Sequence, residues 1–198
     1  LHTVLPIAAV LLLVAGVALA PGRRRALVIG ASMIVGSLVL LRSHHELFGL
    51  ATVAFLGYLA HAVLPSTAVL YMGYRYGWDT TSVGLMLAGV GLAAMIVQGL
   101  LIRPLTARFG ERTTLLAGLL CGAVGFAVYG VAPQGWIFCL GIPIMAFWGL
   151  AGPATQALMT RRVSGSEQGR LQGAMASING VTGLIGPTLF TQIFAHFI

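Results

Sequence analysis

Residues 83–132 read VGLMLAGVGLAAMIVQGLLIRPLTARFGERTTLLAGLLCGAVGFAVYGVA. Two apolar runs, Val83–Ile102 and Thr114–Ala132, flank a short polar gap, Arg103–Thr113, that holds Arg103, Arg108, Glu111 and Arg112. Each run has about the 20 residues that an α-helix needs to cross the hydrocarbon core of a bilayer. Neither alternates with period two, as barrel strands do. Both are apolar all round, whereas a surface helix of a soluble protein keeps a polar face. The stretch therefore reads as two membrane helices joined by a charged gap.

The same pattern extends in both directions. Further apolar runs are Val4–Ala20, Ala26–Leu41, Leu47–Met72, Trp136–Met159 and Leu171–Ile198. The gaps between them hold Arg23–Arg25, Arg42 to Glu46, Arg75 to Asp79, the tight turn Pro133-Gln134-Gly135, and Thr160–Arg170. Of the 198 residues, 58% are hydrophobic and only 8% charged, with a mean hydropathy of +0.96. Soluble domains run at about 45–50% apolar and about 25% charged, so an ordinary soluble domain is excluded, and so is disorder. The expected fold is all-α: a polytopic membrane helix bundle embedded in the lipid bilayer. It divides into an N-terminal hydrophobic segment with a cytoplasmic linker, residues 1–46, and a helical unit, residues 47–198.

The net charge of +7 comes from eleven Arg, no Lys and four acids. The Arg residues form no basic stripe, which argues against a nucleic-acid partner. They mark topology instead. The gaps 103–113 and 160–170 each carry three Arg, and two helices separate them, so they share one side, the cytoplasm by the positive-inside rule. Ala26–Leu41 conflicts with this if it crosses, because Arg23–Arg25 would then lie outside. Its sixteen residues span only about 24 Å as a helix, short of a core of about 30 Å. It is expected to stay inside, giving six spans, or seven if it crosses.

Few polar groups stand at membrane depth. His61 shares a helix face with Gly57, Tyr58 and Pro65, and ionisable residues inside spans are costly and tend to be functional. It reads either as a cavity-facing titratable group or as a neutral imidazole paired with a neighbouring helix. Gln98 lies in the run 83–102; Gly149, Gly152, Pro153, Gln156 and Thr160 line one face of 136–159; Asn179, Thr182 and Gly186 line one face of 171–198, with Pro187 beside them. These side chains either border a shared aqueous cavity or act as interhelical glue. Pro65, Gly152-Pro153 and Gly186-Pro187 are candidate bend points, since proline removes a helix hydrogen bond. The run 114–132 is nearly devoid of polar groups and reads as a lipid-facing support. Its Gly118-x-x-x-Gly122 allows close helix approach but is weakly specific in a chain with 27 Gly.

No catalytic pattern is present. His44-His45-Glu46 lacks the second His of a zinc-protease motif, and no nucleophile elbow, phosphate loop or carboxylate pair occurs. Glu46, Glu111 and Glu167 sit in the Arg-rich gaps as surface partners for Arg. Cys121 and Cys139 read as small buried apolar residues without a metal or redox pattern. No catalytic residue, metal ion or cofactor is expected.

The gap 103–113 resembles the second, degenerate copy of the major facilitator loop motif, with Leu105, Arg108, Gly110 and Arg112 matching and Arg103 and Ala107 departing. Further likeness lies in Leu150-Ala-Gly152-Pro153-Ala-Thr-Gln156, in Gln168-Gly-Arg-Leu-Gln172-Gly173 and in Thr182-Gly-Leu-Ile-Gly186-Pro187. With Arg75-Tyr-Gly-Trp78-Asp79 and the entry at Leu41 to His44, these look like tetracycline-resistance-type efflux pumps. The resemblance covers residues 36–198 and implies the C-terminal half of a twelve-helix transporter, lacking its last helix and facing a missing N-terminal half. It implies export of a drug-like small molecule in exchange for protons in a bacterial inner membrane. It also implies that His61, Tyr58, Gln98, Gln156, Asn179 and Thr182 border the substrate cavity, and that Arg108, Gly110 and Arg112 form a gating loop. Where those pumps carry a carboxylate and often a His, the matching positions here are Gly122 and Ala94. Either the carboxylates for proton coupling then lie in the missing half, or His61 is the titrating group. The alternatives are a major facilitator protein for a small metabolite, or an inactive membrane remnant or subunit.

Overall fold

The computed structural model describes residues 45–197, and they are helical almost throughout. The runs 4–20 and 26–41, and with them the question of whether 26–41 crosses, lie outside the described residues, as does nearly all of the segment 1–46.

Helix α1, His45–His61, and helix α2, Val63–Tyr76, form one leg with a joint at Ala62. Pro65 causes the joint, because it has no N–H for the His61 carbonyl and its ring crowds that oxygen. The Ala62 N–H splits between the carbonyls of Tyr58 and Leu59, each at 3.1 Å. The hydroxyls of Ser66 and Thr67 donate to the carbonyls of Ala62 and Val63, at 2.5 and 2.8 Å. Gly77 ends α2 in the left-handed region, φ 64° and ψ 26°, where glycine carries no Cβ penalty. Asp79 then caps helix α3, Thr80–Ile96, by accepting the Ser82 N–H at 3.0 Å.

From α3 the chain passes through a π-helical turn, Val97–Leu101, into helix α4, Ile102–Val131. The expected polar gap 103–113 is therefore not a loop. It stays helical except at Gly110, with φ 77° and ψ 164°, a conformation essentially reserved for glycine. The reversal falls on this residue: Val83, near the start of α3, and Tyr129, near the end of α4, lie in one buried cluster. Helix α5, Gly135–Ala146, a 3₁₀ turn, Phe147–Leu150, and helix α6, Ala151–Thr160, form the next leg. Helix α7, Gln168–Phe197, completes the described residues and continues through Pro187 without interruption.

Among the described residues three stretches are long and apolar enough to cross a membrane: Glu46–Tyr76, Thr80–Val131 and Gly135–Thr160. The second has 52 residues, about twice what one crossing needs, and Gly110 folds it into two. The described residues thus form a bundle of five legs, an all-α polytopic membrane architecture. Leu85, Leu100, Leu116, Leu120 and many other large apolar side chains are exposed. In water such a surface would drive aggregation; it is compatible with a bilayer.

Buried clusters secure both ends. At the Arg-rich end Leu47, Ala51 and Ala54 of α1 pack with Met159 of α6 and Leu171, Ala174 and Met175 of α7. At the opposite end Met72, Val83, Met86, Tyr129, Phe138 and Met145 join α2 to α5, with Tyr129 stacked on Phe138 at 4.1 Å between ring centroids. The first and fifth legs run in the same direction, since Leu47 shares a cluster with Leu171 while Ala62 meets Gly186.

Glycine sets the closest approaches. A Cβ on Gly118 would lie 3.0 Å from the Ala151 amide nitrogen, one on Gly122 would lie 2.9 Å from Trp148 Cγ, and one on Gly125 would lie 3.1 Å from Met145 Cβ. The three glycines form a stripe on α4 that seats residues 145–151 in antiparallel register. Gly118-x-x-x-Gly122 is thus a specific seam here, stronger than its sequence suggests.

Candidate functional site

Irregular backbone draws the candidate residues together. Three departures from α-helix, the Ala62 joint, the π-turn 97–101 and the 3₁₀ turn 147–150, meet between the two end clusters and form a waist. His61, the last residue of α1, is exposed and sets its ring against Trp148, with centroids 5.2 Å apart and planes tilted by 53°. Gln98 lies in the π-turn, and its amide covers Gly149, where a Cβ would stand 3.1 Å from Nε2. His61 and Gln98 therefore meet adjacent residues of the same 3₁₀ turn, from two different legs.

Trp148 is the residue that sequence reasoning passed over. It makes an edge contact with Phe126, at 5.2 Å, and fills the space left by Gly122. A tryptophan among the small residues Gly149, Ala151 and Gly152, opposite a glycine stripe on another helix, is the available signal. Only the fold reveals that Gly122 and Trp148 are opposite one another.

Elsewhere the expected set divides. Gln156 on α6 donates from Nε2 to Gln172 Oε1 on α7 at 3.2 Å, nearer the Arg-rich end. Asn179 is exposed about 10 Å along α7 from Gln172, at 1.5 Å per residue. Tyr58 is half-buried and packs against the cluster at the Arg-rich end. Thr182 does not fit a cavity-lining role. It is 1% exposed, and its hydroxyl donates to the carbonyls of Ile178 and Asn179 on its own helix, both at 3.0 Å. Its sequence position next to Asn179 in the helical repeat hid this, because α1 and α2 cover that side of α7.

Of the bend candidates, Pro65 accompanies the Ala62 joint, and Gly152-Pro153 follows directly on the 3₁₀ turn, where Pro153 has no N–H for the Gly149 carbonyl. Gly186 is a close-packing position: a Cβ there would lie 2.4 Å from that of Ala62.

At the Arg-rich end Arg108 and Arg112 are exposed, with Arg108 Cζ 5.7 Å from the centre of the Phe109 ring. Glu111 is drawn in and pairs with Arg161 at 2.7 Å, its side chain 11% exposed. The next residue, Arg162, pairs with Glu46 at 2.5 Å. Glu167 accepts from the Ser164 N–H and hydroxyl at 3.0 and 2.7 Å. Consecutive arginines at the end of α6 thus hold the starts of α1 and of the second limb of α4, so the Arg-rich gaps share one end of the bundle. A groove of about 630 Å³ lies there, lined by Arg103, Gly110, Glu111, Pro153 and Arg161 among others, and not by His61 or Gln98. Among the described residues no cluster of three or more His, Cys, Asp and Glu could hold a metal ion.

These features have counterparts in known proteins. The sequence profile of the Major Facilitator Superfamily matches residues 50–197, and the chain belongs to that family. It is 32% identical to the class C tetracycline resistance protein of Escherichia coli over 88% of this chain and 44% of that protein. It is 33% identical to the class G tetracycline resistance protein of Vibrio anguillarum, over 84% of this chain and 43% of that one. It is 34% identical to the class B tetracycline resistance protein of Escherichia coli, over 67% and 33%. The chain spans a little under half the length of the first two. No solved structure matches it. The family is one of membrane transporters and not of enzymes, in keeping with the missing catalytic patterns.

Proposed function

We propose that this chain supplies the C-terminal half of a proton-driven exporter of drug-like small molecules in a bacterial inner membrane. Its likeness to tetracycline resistance proteins supports an export role. The observation that carries the reading is the waist, where His61 and Gln98, both exposed, each meet the 3₁₀ turn 147–150. A proton-exchanging transporter needs a group that titrates within the membrane, and carboxylates are absent from that depth: Glu46, Glu111 and Glu167 stand at the Arg-rich end and Asp79 caps α3 at the other. Within this half His61 is the candidate proton-carrying group, with Gln98 as a nearby hydrogen-bonding group for substrate; carboxylates of the other half are the alternative. Asn179 and the Gln156–Gln172 pair extend the polar strip towards the cytoplasm. Arg108, Gly110 and Arg112 form the turn whose position gates that end.

The test is drug uptake by everted membrane vesicles from efflux-deficient bacteria expressing the whole gene that contains this chain. Uptake driven by a pH gradient is expected, falling in His61→Gln to the level of vesicles without the protein while membrane insertion stays normal. Undiminished gradient-driven uptake in that variant would remove His61 from the mechanism.

A further inference from the structure

Trp148 has no part in the proton or substrate roles assigned so far, yet its setting is the most constrained at the waist. The Gly122 notch fixes its position, since even a methyl group there would lie 2.9 Å from Cγ. Phe126 bears edge-on against the indole at 5.2 Å. The neighbouring Gly149 lies beneath the Gln98 amide, and the flanking Leu150 and Ala151 are buried. The remaining aromatic contact is with the His61 ring at 5.2 Å. That lies within the roughly 6 Å over which an indole attracts a neighbouring cation, and tryptophan is the strongest of the aromatic side chains in this respect.

We propose that Trp148 is the positioning residue for His61, holding the exposed imidazole at the waist and stabilising its protonated form. Gly122 serves this arrangement by leaving room for the indole, and Phe126 fixes its tilt. The inference rests on reading His61 as the proton-carrying group. Other titratable groups on the surrounding elements are Tyr58, one turn earlier on α1, Tyr71, Tyr74 and Tyr76 on α2, Cys121 and Tyr129 on α4, Cys139 on α5, and His196 near the end of α7, ten residues beyond Gly186. The charged residues stand at the bundle ends. His61 is accordingly the group near Trp148 whose charge changes between pH 5 and 8.

The chain has three Trp, at 78, 136 and 148; replacing Trp78, Trp136 and any tryptophan of the remaining half by Phe leaves Trp148 as the sole tryptophan reporter. In whole protein in lipid vesicles, its fluorescence is expected to fall in a single transition as pH is lowered, because an imidazolium quenches an adjacent indole. The transition is expected to vanish in His61→Gln, and also in Gly122→Ala, where His61 remains but the indole is displaced. Trp148→Phe should retain gradient-driven uptake that Trp148→Leu loses, at equal protein levels. A fluorescence signal that is flat with pH, or a transition that persists in His61→Gln, would overturn the proposal. So would equal uptake by the Phe and Leu variants. The fluorescence readout requires no transport, so a transition without uptake rejects the exporter reading and leaves the pairing in place.

Discussion

At Gly110 a single residue decides whether a 52-residue apolar stretch is one rod or two crossings. With φ 77° and ψ 164°, the position excludes left-handed-tolerant substitutes such as Asn as well as Ala, because this region is essentially confined to glycine. Gly110→Ala and Gly110→Asn are both expected to destabilise the fold by about 1–3 kcal/mol, read as a lower midpoint of thermal unfolding in detergent. Space is not the issue, since a Cβ there meets nothing within 4 Å; recovery by Asn would show that the strain is of another kind. Asp79 acts on pH. Its hydrogen bonds from Ser82 hold its carboxyl below the usual carboxylate range. A depressed folded-state pKa means that the cap contributes fully above the unfolded value and is lost as pH falls through the folded one. Stability should therefore drop below about pH 4, and Asp79→Asn, which keeps a capping oxygen, should weaken that acid dependence. An identical acid limb in wild type and Asp79→Asn would count against the cap.

Between elements, contacts are decided by very small side chains. Gly186 of α7 lies where a Cβ would come within 2.4 Å of the Ala62 Cβ, at the joint between α1 and α2. Gly186→Ala should cost about 1–3 kcal/mol by overpacking, and Ala62→Gly should relieve part of it. A double-mutant cycle in detergent unfolding measures the coupling; strict additivity would show that the helices separate freely there. The arginines ending α6 offer a contrast within one turn. Arg161→Ala leaves the largely buried Glu111 carboxylate without its partner and should cost about 1–3 kcal/mol, much of it recovered in the double variant with Glu111→Ala. Arg162–Glu46 is mostly exposed, screened by solvent, and should contribute much less. Equal losses at Arg161 and Arg162 would refute this ranking. The helices were legible as apolar runs, and their shared Arg-rich end as charge. Gln98 in a π-turn and Thr182 beneath α1 and α2 were not, because one depends on local unwinding and the other on a neighbour distant in sequence. The gap 103–113 misled for a related reason: charged residues were compatible with helix, and only Gly110 required a break.

Across the whole bundle the packing is unequal along its height. Aromatic and methionine side chains fill one end, an apolar cluster with paired arginines closes the other, and the glycine stripe of α4 locks one side between them. The departures from helix lie between those ends, at His61–Ala62, 97–101 and 147–150. A rocking motion that kept both ends intact would concentrate its change of shape at the waist, where His61, Gln98 and Trp148 are placed.

Pro65 and Pro153 give this waist another property. Neither can donate to the residue four positions earlier, so the carbonyls of His61 and Gly149 each lose their usual α-helical partner. His61 touches Trp148 and Gln98 covers Gly149, so both oxygens belong to one neighbourhood. In hydrocarbon such groups are costly to leave bare. The middle of this bundle consequently attracts hydration: a few water molecules would be retained where the surrounding membrane is driest, beside the side chain best suited to exchange a proton with them.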